Sequence, residues 1–194
     1  MAKAAPARRR NAVATRDAIL ASARKAFARA GYDGAGLREI ASGAGVTAML
    51  VNRYFGSKEK LFAEVVALSM ATPTILTPQV MDAPDAAAKF AAALVAITKT
   101  GAEPLEGFQI MLRSASSERA AEIARGEIEK HHQKAMTLAL GGDLAAQRAA
   151  ILLSLVAGLQ VMRQMIGLKA LAKAEPADLV KILTPVIQQL MAKS

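Results

Sequence analysis

The stretch from Leu37 to Phe55, LREIASGAGVTAMLVNRYF, limits what this chain can fold into more than any other part of it. Leu37, Ile40 and Ala41 recur at i, i+3 and i+4, which gives a short helix one apolar face. Gly43 and Gly45 then end that helix, because the residue after a helix often takes positive φ and glycine does so at little cost. Val46 returns to the core and Thr47 is a good N-cap for a second helix, with Val51 and Phe55 on one buried face. The opposite face carries Ala48, Met49, Asn52 and Arg53, short or hydrogen-bonding side chains suited to base edges in a major groove. Two short helices around a tight turn, the second with a free polar face, form a helix-turn-helix of the DNA-reading kind. Taken alone, these residues also allow an ordinary helical hairpin.

The flanks decide between the two. Arg16-Asp17 with Ile19-Leu20, Ala26-Phe27, Gly31-Tyr32, Ile40-Ala41, Ala44-Gly45-Val46-Thr47, Tyr54-Phe55, Ser57-Lys58-Glu59 and Leu61 stand in one register. Over Arg16 to Phe62 the chain thereby resembles the tetracycline-repressor (TetR) family of transcriptional regulators. Two positions depart from the family's usual pattern. Gly36 stands where Ser or Thr commonly caps the first helix of the motif, a mild change because Gly is itself an acceptable cap. Asn52 stands where a Tyr commonly meets the phosphate backbone, which alters the DNA contact and leaves the fold alone. The DNA-contacting set implied by resemblance and motif together is Gly36, Thr47, Ala48, Met49, Asn52, Arg53, Tyr54 and Lys58.

Strand signals are nearly absent and alanine-rich stretches of helical period fill the chain, so the expected class is all-α, with a hydrophobic content of 53% that can bury a sizeable core. No run reaches about 20 uninterrupted apolar residues. The strongest, Ile151 to Met162, contains Gln160 and is followed by Arg163 and Gln164, and so is expected to be a buried helix with no membrane partner. The N-terminus lacks the apolar core of a signal peptide, and the sequence has no cysteine for disulfides or thiolate metal sites, so a cytoplasmic location is expected. The net charge of +9 is unevenly placed: residues 1–70 hold 12 Lys/Arg against 5 Asp/Glu, residues 71–194 hold 13 against 11. A basic segment beside a nearly neutral one points to a polyanionic partner for the first.

In chain order, residues 1–14, with Pro6 and Arg8-Arg9-Arg10, lack apolar periodicity and are expected to be a mobile basic arm. The arm could lay arginine into a minor groove or simply add nonspecific attraction. Thr15 is expected to cap a helix to about Ala30, stopped by Gly31. Ser57 caps a helix carrying Leu61, Phe62, Val65, Val66 and Leu68 to about Met70, and residues 15–70 form the DNA-binding domain with this linking helix. At its start, free amides and Lys58 could hold a phosphate; otherwise Lys58 is a solvated lysine beside an unfavourable helix end. Thr72 to Pro84, with Pro73, Pro78 and Pro84, marks a boundary. Residues 71–194 are expected to form a second domain, for effector binding and dimerisation, with helices near 85–100, 104–116, 118–140, 143–168 and 176–192.

The resemblance implies that the last two of these helices pair with those of a second subunit in a four-helix bundle, through Leu152, Leu155, Val156, Leu159, Leu179, Ile182, Leu183 and Val186. Periodicity alone leaves an intrachain core equally open. It also implies a pocket for a small, often hydrophobic effector. Phe90, Leu94, Ile97, Phe108, Met111, Leu112, Met136, Met162, Met165 and Ile166 are the apolar candidates, each of which could instead be ordinary core, and Gln109 and Arg113 could add polar groups. Neither a catalytic constellation nor a metal or cofactor site is expected. His131 and His132 are adjacent on a helix and point about 100° apart, so both read as structural.

The expectation is therefore a homodimeric TetR-like regulator of a double-stranded DNA operator, most simply a repressor released by an effector. An architectural DNA-binding protein without effector is the alternative, and an enzyme with a helical substrate domain the weakest reading.

Overall fold

The computed structural model describes residues 5–70, 80, 83–101 and 105–192, with side chains from 11 onward. All regular structure among these residues is helical: α1 (Ala5–Gly34), α2 (Leu37–Gly43), α3 (Ala48–Phe55), α4 (Lys58–Met70), α5 (Ala86–Ile97), α6 (Glu106–Ser114), α7 (Glu118–Ile128), α8 (Lys134–Leu140), α9 (Ala145–Leu159), α10 (Lys169–Ala172) and α11 (Pro176–Met191). Two π-helical segments continue α7 and α9, Glu129–Gln133 and Gln160–Met165.

The chain divides into two compact units: the first break falls between Ser69 and Met70, beside the boundary expected at residue 71, while Glu106–Glu127, expected in the second domain, falls in the first unit. Unit 1 holds Met1–Ser69 together with Glu106–Glu127; unit 2 holds Met70–Leu105 and Ile128–Ser194. The proline-bearing stretch read as the boundary, residues 72–84, lies almost wholly outside the described residues. Helices α6 and α7 join the N-terminal helices because α6 packs along α1. Gly31 interrupts α1 with φ 67 and ψ −175, a backbone region that only glycine occupies freely, and a Cβ there would lie 2.3 Å from the carbonyl oxygen of Arg113. The backbone amide of Tyr32 donates to Ser114 Oγ at 2.9 Å, and Arg113 Nη1 donates to the carbonyl of Arg29 at 2.8 Å. Arg24 pairs with Glu106 on the same seam.

The core of unit 1 contains Ile19, Ala23, Phe27, Ile40, Val51, Leu61, Phe62, Val65 and Ile110, all almost fully buried. Phe62 meets both Phe27 and Tyr32 edge-on, with ring centroids 5.0 Å apart in each case. Leu68, expected on the buried face of α4, is 48% exposed. α1 begins at Ala5, so the stretch expected to be an arm is helical from that residue on, and Thr15 sits inside the helix with its hydroxyl donating to the carbonyl of Asn11 at 2.8 Å. Alanine and arginine favour helix, and the exposed residues 11–14 leave no periodic trace in the sequence.

Unit 2 surrounds Phe90, Leu94 and Val95 of α5, Met136 and Leu140 of α8, Ala149, Leu152 and Leu159 of α9, and Leu179, Leu183 and Ile187 of α11. Arg148 ties its ends together, donating to the carbonyls of Asp143 (3.0 Å), Leu190 (3.2 Å), Ala192 (2.7 Å) and Gly141. Carbonyls left over at two helix ends thus find a charged donor. The helix expected over 143–168 is α-helical only to Leu159 and closes with the π-helical segment, and α10 was not expected. By length and composition the run Ala145–Met165 could cross a membrane, yet Ala149, Leu152, Leu159, Gln160 and Arg163 along it are buried.

Candidate nucleic-acid interface

The turn between α2 and α3 is built by hydrogen bonds that the glycine permits. Val46 N bonds to Ala41 O at 2.9 Å and Gly45 N to Ser42 O at 3.1 Å, with Gly45 at φ 66. This is the Schellman arrangement, which satisfies carbonyls at the end of α2 and turns the chain sharply. Thr47 then caps α3 as expected: its backbone is extended and its hydroxyl accepts from Leu50 N at 3.3 Å. Ser22 Oγ donates to Ile40 O at 2.8 Å and fixes α2 against α1.

With Val51 and Phe55 buried, the other side of α3 is presented outward. Met49 is 82% exposed and Asn52 and Arg53 are exposed beside it; Ala48 and Tyr54 are half-buried at the margins. Gly36 and Thr47 are exposed at the starts of their helices, Gly36 with no side-chain cap to offer. Arg16 pairs with Glu64 and lies 5.1 Å over the Phe55 ring, and Arg29 pairs with Glu39. Arg38, Arg53 and Lys60 are exposed without an ion pair among the described residues. The uncompensated cations of α2, α3 and the first turn of α4 are the ones available to phosphate or guanine.

Lys58 is not free in the way the sequence suggests. It is half-buried, and its ammonium lies 4.7 Å from the centroid of the Tyr32 ring. Ser57 Oγ accepts from Lys60 N at 3.2 Å, which caps α4 at this point. Burial pushes the Tyr32 phenol above its ordinary pKa, and the Glu59 and Asp33 carboxylates add to that. Arg119, at the start of α7, reaches Glu59 at 3.4 Å. The first turn of α4 is therefore held by Tyr32 on one side and Arg119 on the other.

The two further sets of residues are placed less uniformly. Of the dimer set, Leu152, Leu159, Leu179 and Leu183 are committed to the core of unit 2, Leu155 and Val156 are partly buried against it, and only Ile182 (65% exposed) and Val186 face outward. Ile151, Gly158 and Met162 are exposed on α9 and its continuation. Of the pocket set, Phe90, Leu94 and Met136 come together in the unit 2 core with Ile97 packed on them, whereas Met162, Met165 and Ile166 are exposed. Phe108, Met111 and Leu112 lie on α6, in unit 1, as do Gln109 and Arg113. Among the described residues no group of three His, Cys, Asp or Glu could hold a metal ion.

Two family descriptions match the chain. "Bacterial regulatory proteins, tetR family" covers residues 19–65, and "Tetracyclin repressor-like, C-terminal domain" covers 85–191, more than half of the sequence. The chain belongs to the TetR family. As a TetR-family member it is a DNA-binding transcriptional regulator, with an N-terminal helix-turn-helix domain and a C-terminal ligand-binding domain. A TetR-family regulator from Streptomyces coelicolor is 25% identical, with 92% of this chain and 95% of that one aligned at a TM-score of 0.51. The fold is shared with a TetR-family regulator from Rhodococcus sp. (18% identity, 93% and 100% covered, TM-score 0.66). It is shared as well with NalD of Pseudomonas aeruginosa, described as the secondary repressor of a multidrug efflux pump (19% identity, 92% and 96% covered, TM-score 0.62). No curated protein sequence matches the chain.

Sequence reasoning passed over two residues of this TetR-family regulator. Gln160 and Arg163 count there only as polar interruptions of an apolar run, but both are buried. The available signal was their spacing, which continues the core stripe set by Leu152 and Leu159.

Proposed function

We propose that this regulator is a homodimeric, cytoplasmic and non-enzymatic repressor. It reads a pseudo-palindromic operator through residues 36–58 and leaves it when a small, largely apolar effector occupies the C-terminal ligand domain. The outward face of α3 supports this most directly: Met49, Asn52 and Arg53 stand exposed on a short helix whose start is fixed by the Thr47 cap. Ile182 and Val186 on α11, with Ile151 and Met162, supply an apolar surface for the second subunit. Of the sequence-derived pocket candidates, Phe90, Leu94, Ile97 and Met136 remain the core of the effector proposal. Two reading helices must lie about 34 to 36 Å apart, or a multiple of that, to enter successive major grooves. An effector that favours a different separation abolishes simultaneous contact.

The test is selection of binding fragments from random DNA, followed by titration of the selected duplex against a scrambled one at fixed salt. A specificity of 10³-fold or more, of the size usual for operators, is expected. A ratio near one would instead mean an architectural DNA-binding protein.

A further inference from the structure

Unit 2 carries a polar seam inside an apolar core. The buried stripe of α9, through Ala149, Leu152 and Leu159, continues into Gln160 and Arg163, which are 2% and 3% exposed. They sit on the π-helical segment, whose shifted register shows in the bond from Ile166 N to Val161 O at 2.9 Å. Single π turns within α-helices occur frequently at functional sites. The Arg163 guanidinium donates through Nη1 to Val95 O at 2.7 Å and Thr98 Oγ1 at 3.2 Å, and through Nε to Leu171 O at 3.2 Å. Its Nη2 group, which is not wholly enclosed, has no acceptor and its charge no carboxylate among the described residues. Buried cations are ordinarily paired, because desolvation without a counter-charge is costly. Burial accordingly pushes the Arg163 pKa below its usual range. Gln160 Oε1 is buried with no hydrogen-bond donor among the described residues. The hydroxyl of Thr98, also buried, is already committed to Leu94 O at 2.7 Å.

A cation lacking an anion and an acceptor lacking a donor therefore lie one turn apart in the unit that also gathers Phe90, Leu94 and Met136. We infer that Gln160 and Arg163 are the polar anchor of the effector site, and that the effector is an amphipathic organic acid. Its carboxylate would meet Arg163 Nη2, a hydroxyl or N–H near the carboxylate would donate to Gln160 Oε1, and its apolar body would lie in the core of unit 2. This assignment rests on the effector reading above and gives it a chemical class.

The probes are 2-hydroxyoctanoate, octanoate and 1-octanol, titrated by calorimetry into the full-length protein, with release of labelled operator followed separately by anisotropy. The wild type is expected to bind the hydroxy acid most tightly and the alcohol least. Gln160→Met keeps the volume and removes the orphan acceptor. It should raise Tm while lowering affinity for 2-hydroxyoctanoate about tenfold, to that for octanoate, the size of one buried polar contact. Arg163→Met should remove the preference for either acid over octanol. Arg163→Lys, which keeps the charge, should retain part of it and guards against a folding defect in the Met variant. Equal binding of all three probes, binding of none, or a preference for the acids untouched by either substitution would overturn the assignment. Acid binding with the operator still held would sustain the site and defeat effector release; release by octanol, unaltered in both variants, would sustain release and defeat the acid site.

Discussion

Lys58 holds its ammonium 4.7 Å from the centroid of the Tyr32 ring, at the point where α4 begins and Ser57 caps it. The lysine expected to touch a phosphate is thus preset by an aromatic face. Lys58→Ala should weaken binding to every DNA sequence alike and lower the salt slope by about 2 for a dimer, since each phosphate contact contributes about 0.9. Stability should fall by no more than about 1 kcal/mol, the worth of an exposed cation–π contact. An unchanged slope with lowered stability would leave Lys58 as a clamp on Tyr32 and nothing more.

Two glycines of unit 1 should respond oppositely to a side chain. Gly31→Ala places a Cβ against the Arg113 carbonyl in a backbone region closed to alanine, and should cost about 2 kcal/mol or more in chemical denaturation. Gly36 has φ −87 and open space around it, so Gly36→Ser should supply the missing cap of α2 and add a few tenths, about 0.3 kcal/mol.

Asn52 and Arg53 should differ from Lys58 in kind. Asn52→Ala and Arg53→Ala, compared on the selected operator and its single-base variants, should each lose about 1 to 3 kcal/mol of discrimination at one position. Uniform loss across all variants would return Asn52 to a backbone contact.

Ile182 stands 65% exposed on α11, and Ile182→Glu is expected to shift sedimentation from dimer to monomer and to lower Tm by no more than the concentration-dependent part that association contributes. Operator affinity should then drop at least about 10²-fold, because linked half-site binding is lost. Leu152→Ala makes the contrast: fully buried, it should cost about 2 to 5 kcal/mol of stability and affect assembly only through that loss.

Burial, with the neighbouring His131 adding to it, holds the pKa of His132 below the ordinary value of 6.5. The unfolded chain therefore takes up a proton at a pH where the folded chain does not, and between the two pKa values stability rises with pH. Tm should fall as pH drops through about 6.5. His132→Gln should flatten that dependence, and an equal slope in the variant would place its origin elsewhere.

The helix-turn-helix was legible because its signals are local: a left-handed glycine, a threonine cap and two apolar residues a turn apart determine α2, the turn and α3 within a few residues. The placement of α6 was not legible. Its amphipathic pattern says that Ile110 is buried but not against what, and sequence order suggested the C-terminal body, where Phe108, Met111 and Leu112 were expected. Residues 11–14 of α1 are exposed and so carried no apolar pattern. Gln160 and Arg163 served only as interruptions of an apolar run, because a polar residue shows in the sequence that a run is broken and not that the residue itself is buried.

Unit 1 is written in the chain as two pieces, with Met70–Leu105 between them. During synthesis, Gly31 and Tyr32 emerge long before Arg113 and Ser114, the residues that meet them. Domains generally fold as the amino-terminal end leaves the ribosome first, but non-local closure must wait for its second strand of contacts. A nascent chain that stops short of Glu127 can carry a complete helix-turn-helix and still lack the brace behind α1. Completion of unit 1 thus arrives late in translation, after the chain has left this unit and come back to it.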